Sequence, residues 1–128
     1  MTRIGEMLYD YLWDSISVWD VAVRMNMKEN FYHGMVLGLL QSRSDWLIQS
    51  NAELGEGYSD ISICIPDKIG VVIELKYAED GNLEKGCDDA LMQIEVRKYA
   101  AGLQHKGMKK IIKYGIAFCE KECMVVKS

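Results

Sequence analysis

The chain has 128 residues, 49% hydrophobic and 27% charged, a balance that supports a packed core and excludes a disordered or fibrous polypeptide. No apolar run approaches the ~18 residues of a membrane span, and Asp10, Asp14 and Asp20 stand where a signal peptide would be apolar, so a soluble, cytoplasmic protein is expected. The formal net charge of −4 does not mark the whole surface as a nucleic-acid binder, although carboxylates gathered at an active site would themselves contribute to it.

Residues 6–24 carry Met7, Leu8, Leu12, Trp13, Ile16, Val18, Trp19, Val21 and Val23 and read as one or two short helices interrupted near Ser15 to Ser17. Phe31, Met35, Val36, Leu39 and Leu40 recur at helical spacing and predict a helix over 28–42 that packs on a sheet. A short strand at 46–50 is loosened by Gly55 and Gly57 before a run at 58–65 rich in β-branched and aliphatic residues. Pro66, Asp67 and Lys68 supply a turn, and the run at 69–77, apolar at nearly every position, reads as a central strand covered on both faces.

Asn82 is the N-cap candidate of one long helix over 82–104, stopped near Gly107. Its apolar stripe would be Cys87, Ala90, Leu91, Ile94 and Ala101, with Met92, Val96, Tyr99 and Leu103 beside it. A fourth strand is expected at 109–119 and a fifth at 122–126. Cys64, Cys87, Cys119 and Cys123 follow neither a CxxC nor a zinc-finger spacing and read as reduced thiols.

Glu74 and Lys76 are anomalous, because each puts a charge into an otherwise buried strand of Val71, Val72, Ile73, Leu75 and Tyr77. Side chains two apart share a strand face, so the acid and the amine project together. With residues 66–68 as the hairpin loop, cross-strand pairs sum to 134 and set Asp60 opposite Glu74 on that face. Two carboxylates directly opposite repel unless a cation or a proton lies between them. A hard divalent ion such as Mg²⁺ or Mn²⁺ resolves the conflict and, with an adjacent ammonium, suits phosphodiester hydrolysis. Spacing alone also admits an ion pair of Lys76 with Glu74 or Asp60 that does no chemistry. A small-molecule phosphate enzyme would bring a glycine-rich loop ahead of a helix, whereas Gly55 and Gly57 precede a strand.

The ordered set Asn30, Phe31, Tyr32, His33, Gly34; Leu37 to Leu40; Asn51, Glu53, Gly55, Gly57, Asp60, Ile61; Val72 to Lys76; Ala90, Leu91, Gln93, Ile94; Lys98, Tyr99, Ala100; and Ile111, Ile112 with residues 115–118 resembles the PD-(D/E)xK nuclease superfamily. More narrowly, it is similar to the C-terminal nuclease domain of bacterial proteins that begin with an AAA-type ATPase-like domain. The resemblance covers roughly residues 28–127. It implies an α/β restriction-endonuclease-like core, a mixed central sheet flanked by helices in the order α-β-β-β-α-β, with 1–27 as a helical extension of a single 1–128 domain.

The resemblance also implies roles. Asp60 and Glu74 are the expected metal ligands, completed by the Leu75 backbone carbonyl, with Mg²⁺ or Mn²⁺ as cofactor. Lys76 is the expected catalytic lysine, and Gln93 a residue contacting the active site or phosphate. Tyr99 matches a recurrent tyrosine, either functional or core. Glu53 is either a further ligand or a polar residue at a strand end, and His33 either faces the site or is a hydrogen-bonded structural histidine. Arg97, Lys98, Lys109 and Lys110, with Lys106 and Lys113, form either a phosphate-binding patch or a solvated face. Relatives often carry a basic residue just before the Asp60 region, where this chain has Tyr58 and Ser59. The expected activity is hydrolysis of nucleic acid, DNA first, with a homodimer and an ATPase-like domain or protein as partners; the alternative is a catalytically silent module that keeps the fold for interaction.

Overall fold

The structure, a computed structural model, describes residues 5–10, 25–41 and 45–128. Residues 5–10 are helical (α1), which accounts for the start of the helical stretch expected over 6–24; the remainder of that stretch lies outside the described residues. Next come α2 (Met25–Leu40), β1 (Leu47–Leu54), β2 (Gly57–Ile65), β3 (Ile69–Tyr77), α3 (Leu83–Val96), α4 (Tyr99–His105), β4 (Lys110–Cys119) and β5 (Glu122–Lys127). No helix among the described residues is long and apolar enough to cross a membrane.

The five strands lie in the order β1-β2-β3-β4-β5. β3 and β4 are parallel and the other neighbours antiparallel, so the sheet is mixed, and the crossover between the parallel pair is α3 with α4. The β2–β3 register runs from Ile65↔Ile69 to Ile61↔Ile73, the pairing that a 66–68 turn dictates. Asp67 and Lys68 close that turn with left-handed φ values of 71° and 61°.

Alternation along the strands sends two sets of side chains to opposite faces. Ile61, Ile63, Val71, Ile73, Leu75 and Tyr77 pack on one face beneath Tyr32, Val36 and Leu40, which recur every fourth residue of α2. Each of these fully buried side chains contributes about 1.5–3 kcal/mol over leaving it in water. The Tyr32 ring stacks on Phe118 at 4.4 Å, and its hydroxyl donates to the Glu120 carbonyl at 2.6 Å. On the other face Val72, Leu54, Ile94, Tyr99 and Leu103 form a second, smaller core.

The segment expected as one helix over 82–104 is broken. Asn82 caps α3 as the sequence predicts, its side chain accepting the Lys85 N–H at 3.1 Å. The helix ends at Val96, and Lys98 adopts a left-handed φ of 57° before α4 begins. At the break the Arg97 carbonyl accepts the Glu56 N–H from the β1–β2 turn at 2.8 Å. The interruption shifts the helical phase, so the apolar stripe continues through Tyr99 and Leu103, whereas Ala101, expected in the stripe, is exposed. Met92 and Val96, expected beside the stripe, are also exposed.

Candidate active site

β2 and β3 stay paired as far as Ile61↔Ile73 and then separate. Asp60 and Glu74, next in the same register, sit at the opening. The Asp60 N–H donates to Glu74 Oε1 at 2.8 Å, and the Leu75 N–H donates to Asp60 Oδ2 at 2.9 Å. Each carboxylate therefore takes a backbone donor from the other's strand, which satisfies groups that the interrupted ladder would leave unpaired. Within a strand, the N–H and C=O of one residue face the same neighbour, so the Leu75 carbonyl faces the opening where its N–H meets Asp60.

Glu74 is 1% exposed. Burial, followed by the charge of Asp60, pushes its carboxyl up to about 8, against the lowering influence of the Asp60 N–H and of Lys76. The Lys76 amine donates to Gln93 Oε1 at 2.9 Å. Among the described residues no ion pair joins it to either carboxylate.

Gln93 reaches Lys76 because α3 lies close against β4. A Cβ on Gly115, the β4 partner of Glu74, would fall 2.7 Å from the Cys87 carbonyl oxygen. A Cβ on Gly86 would fall 2.8 Å from the Ala117 Cβ, the neighbour of Lys76 in β4. Larger residues at either position would push the helix, and Gln93 with it, off the sheet.

Two facing carboxylates, one of them buried where its charge is disfavoured, and a backbone carbonyl on the same edge form an oxygen donor set suited to a hard divalent cation. Among the described residues no third His, Cys, Asp or Glu joins them in a cluster able to hold a metal; a Mg²⁺ ion needs none, since it takes one or two carboxylates and keeps several waters.

Glu53 is exposed near the turn end of β1, opposite Tyr58. His33 Nε2 and Ser50 Oγ are 2.7 Å apart, an exposed contact between α2 and β1. Glu29 accepts the Tyr77 N–H at 3.4 Å, just past Lys76 on β3.

The basic residues do not form one patch. Lys110 pairs with Ile69, five residues before Glu74, which puts Lys109 and Lys110 about 16 Å away along the strand at its opposite end. Lys113 pairs with Glu95 at 2.6 Å and Lys98 with Glu56 at 3.3 Å. Arg97 lies beside the β1–β2 turn: its Cδ is 3.3 Å from where a Gly57 Cβ would stand, and its charge acts on Tyr99.

Sequence reasoning left Tyr99 between a functional and a core role. Six residues from Gln93, it would lie about 120° away around a continuous helix. The break at Lys98 changes that phase and turns Tyr99 inward: burial raises its hydroxyl above the usual tyrosine range, with Gln93 acting to lower it and the charges of Glu74 and Asp60 to raise it. The available signal was the set of glycines at positions 55, 57 and 102, whose close contacts at the β1–β2 turn accompany the break.

A mixed sheet flanked by helices, with an Asp and a Glu-x-Lys meeting where two antiparallel strands part, defines an α/β restriction-endonuclease-like core. The chain belongs to the PD-(D/E)XK nuclease superfamily, whose family model matches residues 27–128. No curated protein matches the chain.

Proposed function

We propose that this chain is a metal-dependent nuclease that hydrolyses phosphodiester bonds, of DNA in the first instance. The observation that carries the reading is the pair Asp60 and Glu74, locked by reciprocal backbone hydrogen bonds around a buried carboxylate, with the Lys76 amine held beside them by Gln93 and not spent on neutralising either.

In this reading Asp60, Glu74 and the Leu75 carbonyl hold Mg²⁺ or Mn²⁺. Bound there, the ion supplies Lewis-acid polarisation of the phosphate and a more acidic water. Lys76 orients the attacking water or stabilises charge developing on the phosphate, and Gln93 fixes the amine. Membership of a nuclease superfamily supports a nucleic-acid substrate. A cytoplasmic location, a homodimer, an association with an ATPase-like domain and the boundary of a 28–127 core belong to the same proposal.

The test is calorimetric titration of Mg²⁺ and Mn²⁺ into the wild type, Asp60→Ala and Glu74→Ala, with plasmid nicking on the same samples. Binding and nicking that both disappear in the variants are expected. A wild type that binds no divalent ion and nicks nothing overturns the reading in favour of a silent interaction module.

A further inference from the structure

We infer, on the nuclease reading of the site, that Asn51 is a substrate-contact residue whose side-chain amide donates to a phosphate of the nucleic-acid backbone beside the bond that is cut. Asn51 lies within β1 and directly opposite Asp60, since the pairs on either side are Ser50↔Ile61 and Ala52↔Ser59. Asp60 is in turn opposite Glu74, so one cross-strand row carries Asn51, Asp60 and Glu74 on three neighbouring strands. Asp60 directs its N–H to Glu74, on β3. A strand residue turns its N–H and C=O to the same neighbour, so towards β1 Asp60 makes no ladder bond. Its pair with Asn51 is then the closer kind, with Cα atoms about 4.5 Å apart in a regular ladder.

The backbone at Asn51 sets it apart. Five non-glycine residues among the described ones have left-handed φ values. Asp67 and Lys68 close the β2–β3 turn, Glu120 lies in the β4–β5 turn, and Lys98 stands between α3 and α4. Asn51, with φ 52°, is the one inside a strand. The register is unchanged across it, so no residue has been inserted and no bulge requires the conformation. Asparagine adopts it more readily than most side chains, but the chain reversal or helix break that explains the other four is absent here. Such conformations gather where a site needs a group in a set place.

The side chain is available. Asn51 is exposed, and among the described residues its carboxamide makes no hydrogen bond. β1 is an edge of the sheet, so no further strand lies beyond it. The Lys76 amine is held by Gln93, on the α3 side of the site. On the β1 side the row ends in a neutral amide, which offers a phosphate two N–H donors without adding to the negative charge of Asp60 and Glu74. A phosphate held at the carboxylate pair has neighbours along its own strand, and the one towards β1 meets this amide.

The experiment separates a substrate contact from a residue kept only for its backbone, using Asn51→Gly, Asn51→Asp and Asn51→Ala. Glycine takes a positive φ without strain and lacks the amide. Aspartate keeps the shape and the tolerance of that φ but puts a negative charge where the donors were. Alanine loses both the amide and the tolerance. Three readouts apply: thermal melting, steady-state cleavage of a fluorescent oligonucleotide, single-stranded and duplex, with Mg²⁺, and anisotropy of the same oligonucleotides with each substitution placed in Lys76→Ala, where cutting is slowed. Asn51→Gly should melt within about 3 °C of wild type. Its KM and Kd should rise about 10-fold, the scale of a lost hydrogen bond to a charged group, with kcat within about threefold of wild type. Asn51→Asp should bind more weakly than Asn51→Gly, by a margin that narrows as salt is raised. Asn51→Ala should bind like Asn51→Gly and melt lower than either.

Wild-type KM and Kd in Asn51→Gly, or an Asn51→Asp that binds as well as Asn51→Gly, would make Asn51 a carrier of the backbone conformation only. A fall in kcat at unchanged KM would also overturn the contact, because the amide would then be shaping the carboxylate pair. If wild type neither binds nor cuts nucleic acid, the nuclease reading fails and the contact fails with it; failure of the contact alone leaves wild-type cleavage in place.

Discussion

Glu74→Gln should stabilise the metal-free protein, and by an amount that grows with pH. In the folded chain the Glu74 carboxyl titrates near 8, against 4.5 as the ordinary value, because it is buried beside Asp60. The native state therefore holds a proton that the unfolded chain has released, and wild-type stability is full below 4.5 and falls as pH rises towards 8. Between pH 5 and pH 8 the loss comes to roughly 3 kcal/mol, at about 1.36 kcal/mol per unit. Glutamine is neutral throughout and keeps an oxygen for the Asp60 N–H, so the variant escapes this loss. Urea unfolding of both proteins in EDTA at pH 5, 7 and 8 isolates the effect, because the other titrating groups are common to both. A stability difference that widens by roughly 3 kcal/mol over this range is expected. A difference that stays flat, or a variant that loses stability at pH 8, would refute the argument that Glu74 is buried without a compensating charge.

Two further perturbations probe the frame around the site. Gly102→Ala places a Cβ 2.6 Å from the Gly55 nitrogen and 3.1 Å from Leu54 backbone atoms, so the turn and α4 must separate. A loss of about 1–3 kcal/mol in urea unfolding is expected, the usual cost of overpacking against groups that cannot yield. Arg97→Ala should weaken DNA binding and reduce the salt dependence of log K by about one phosphate contact, whereas Lys109→Ala with Lys110→Ala should change neither, as those lysines lie at the far end of β3. Fluorescence anisotropy on a duplex at several salt concentrations separates the two.

Much of the fold and the centre of the site could be read from the chain because they depend on local rules. The turn at residues 66–68 and the two-residue strand period were enough to set Asp60 against Glu74, and the β2–β3 register matches that reading. The buried run of β3 and the Asn82 cap follow from composition and capping chemistry in the same way.

Contacts between distant segments were less legible. The stretch from 83 to 105 carries no proline, and Gly102 alone does not place a break at Lys98; the β1–β2 turn, over forty residues earlier, packs into it. Once the break is missed, Ala101 is assigned to the wrong side of the helix, and the lysines from 98 to 113 look like one patch when the chain carries them to opposite ends of the sheet. Gly86 and Gly115 illustrate the same point, since their meaning lies in how closely α3 approaches β4.

Conversion of supercoiled plasmid in Mg²⁺ by wild type and by Lys76→Ala, each with an EDTA control, shows whether Asp60, Glu74 and Lys76 work as one hydrolytic unit. Wild type should nick in a manner that EDTA abolishes, and the variant should bind Mg²⁺ normally but nick at least about 100-fold more slowly, as expected when a group that stabilises the transition state is removed. Equal nicking by wild type and Lys76→Ala, or nicking that survives EDTA, would contradict it.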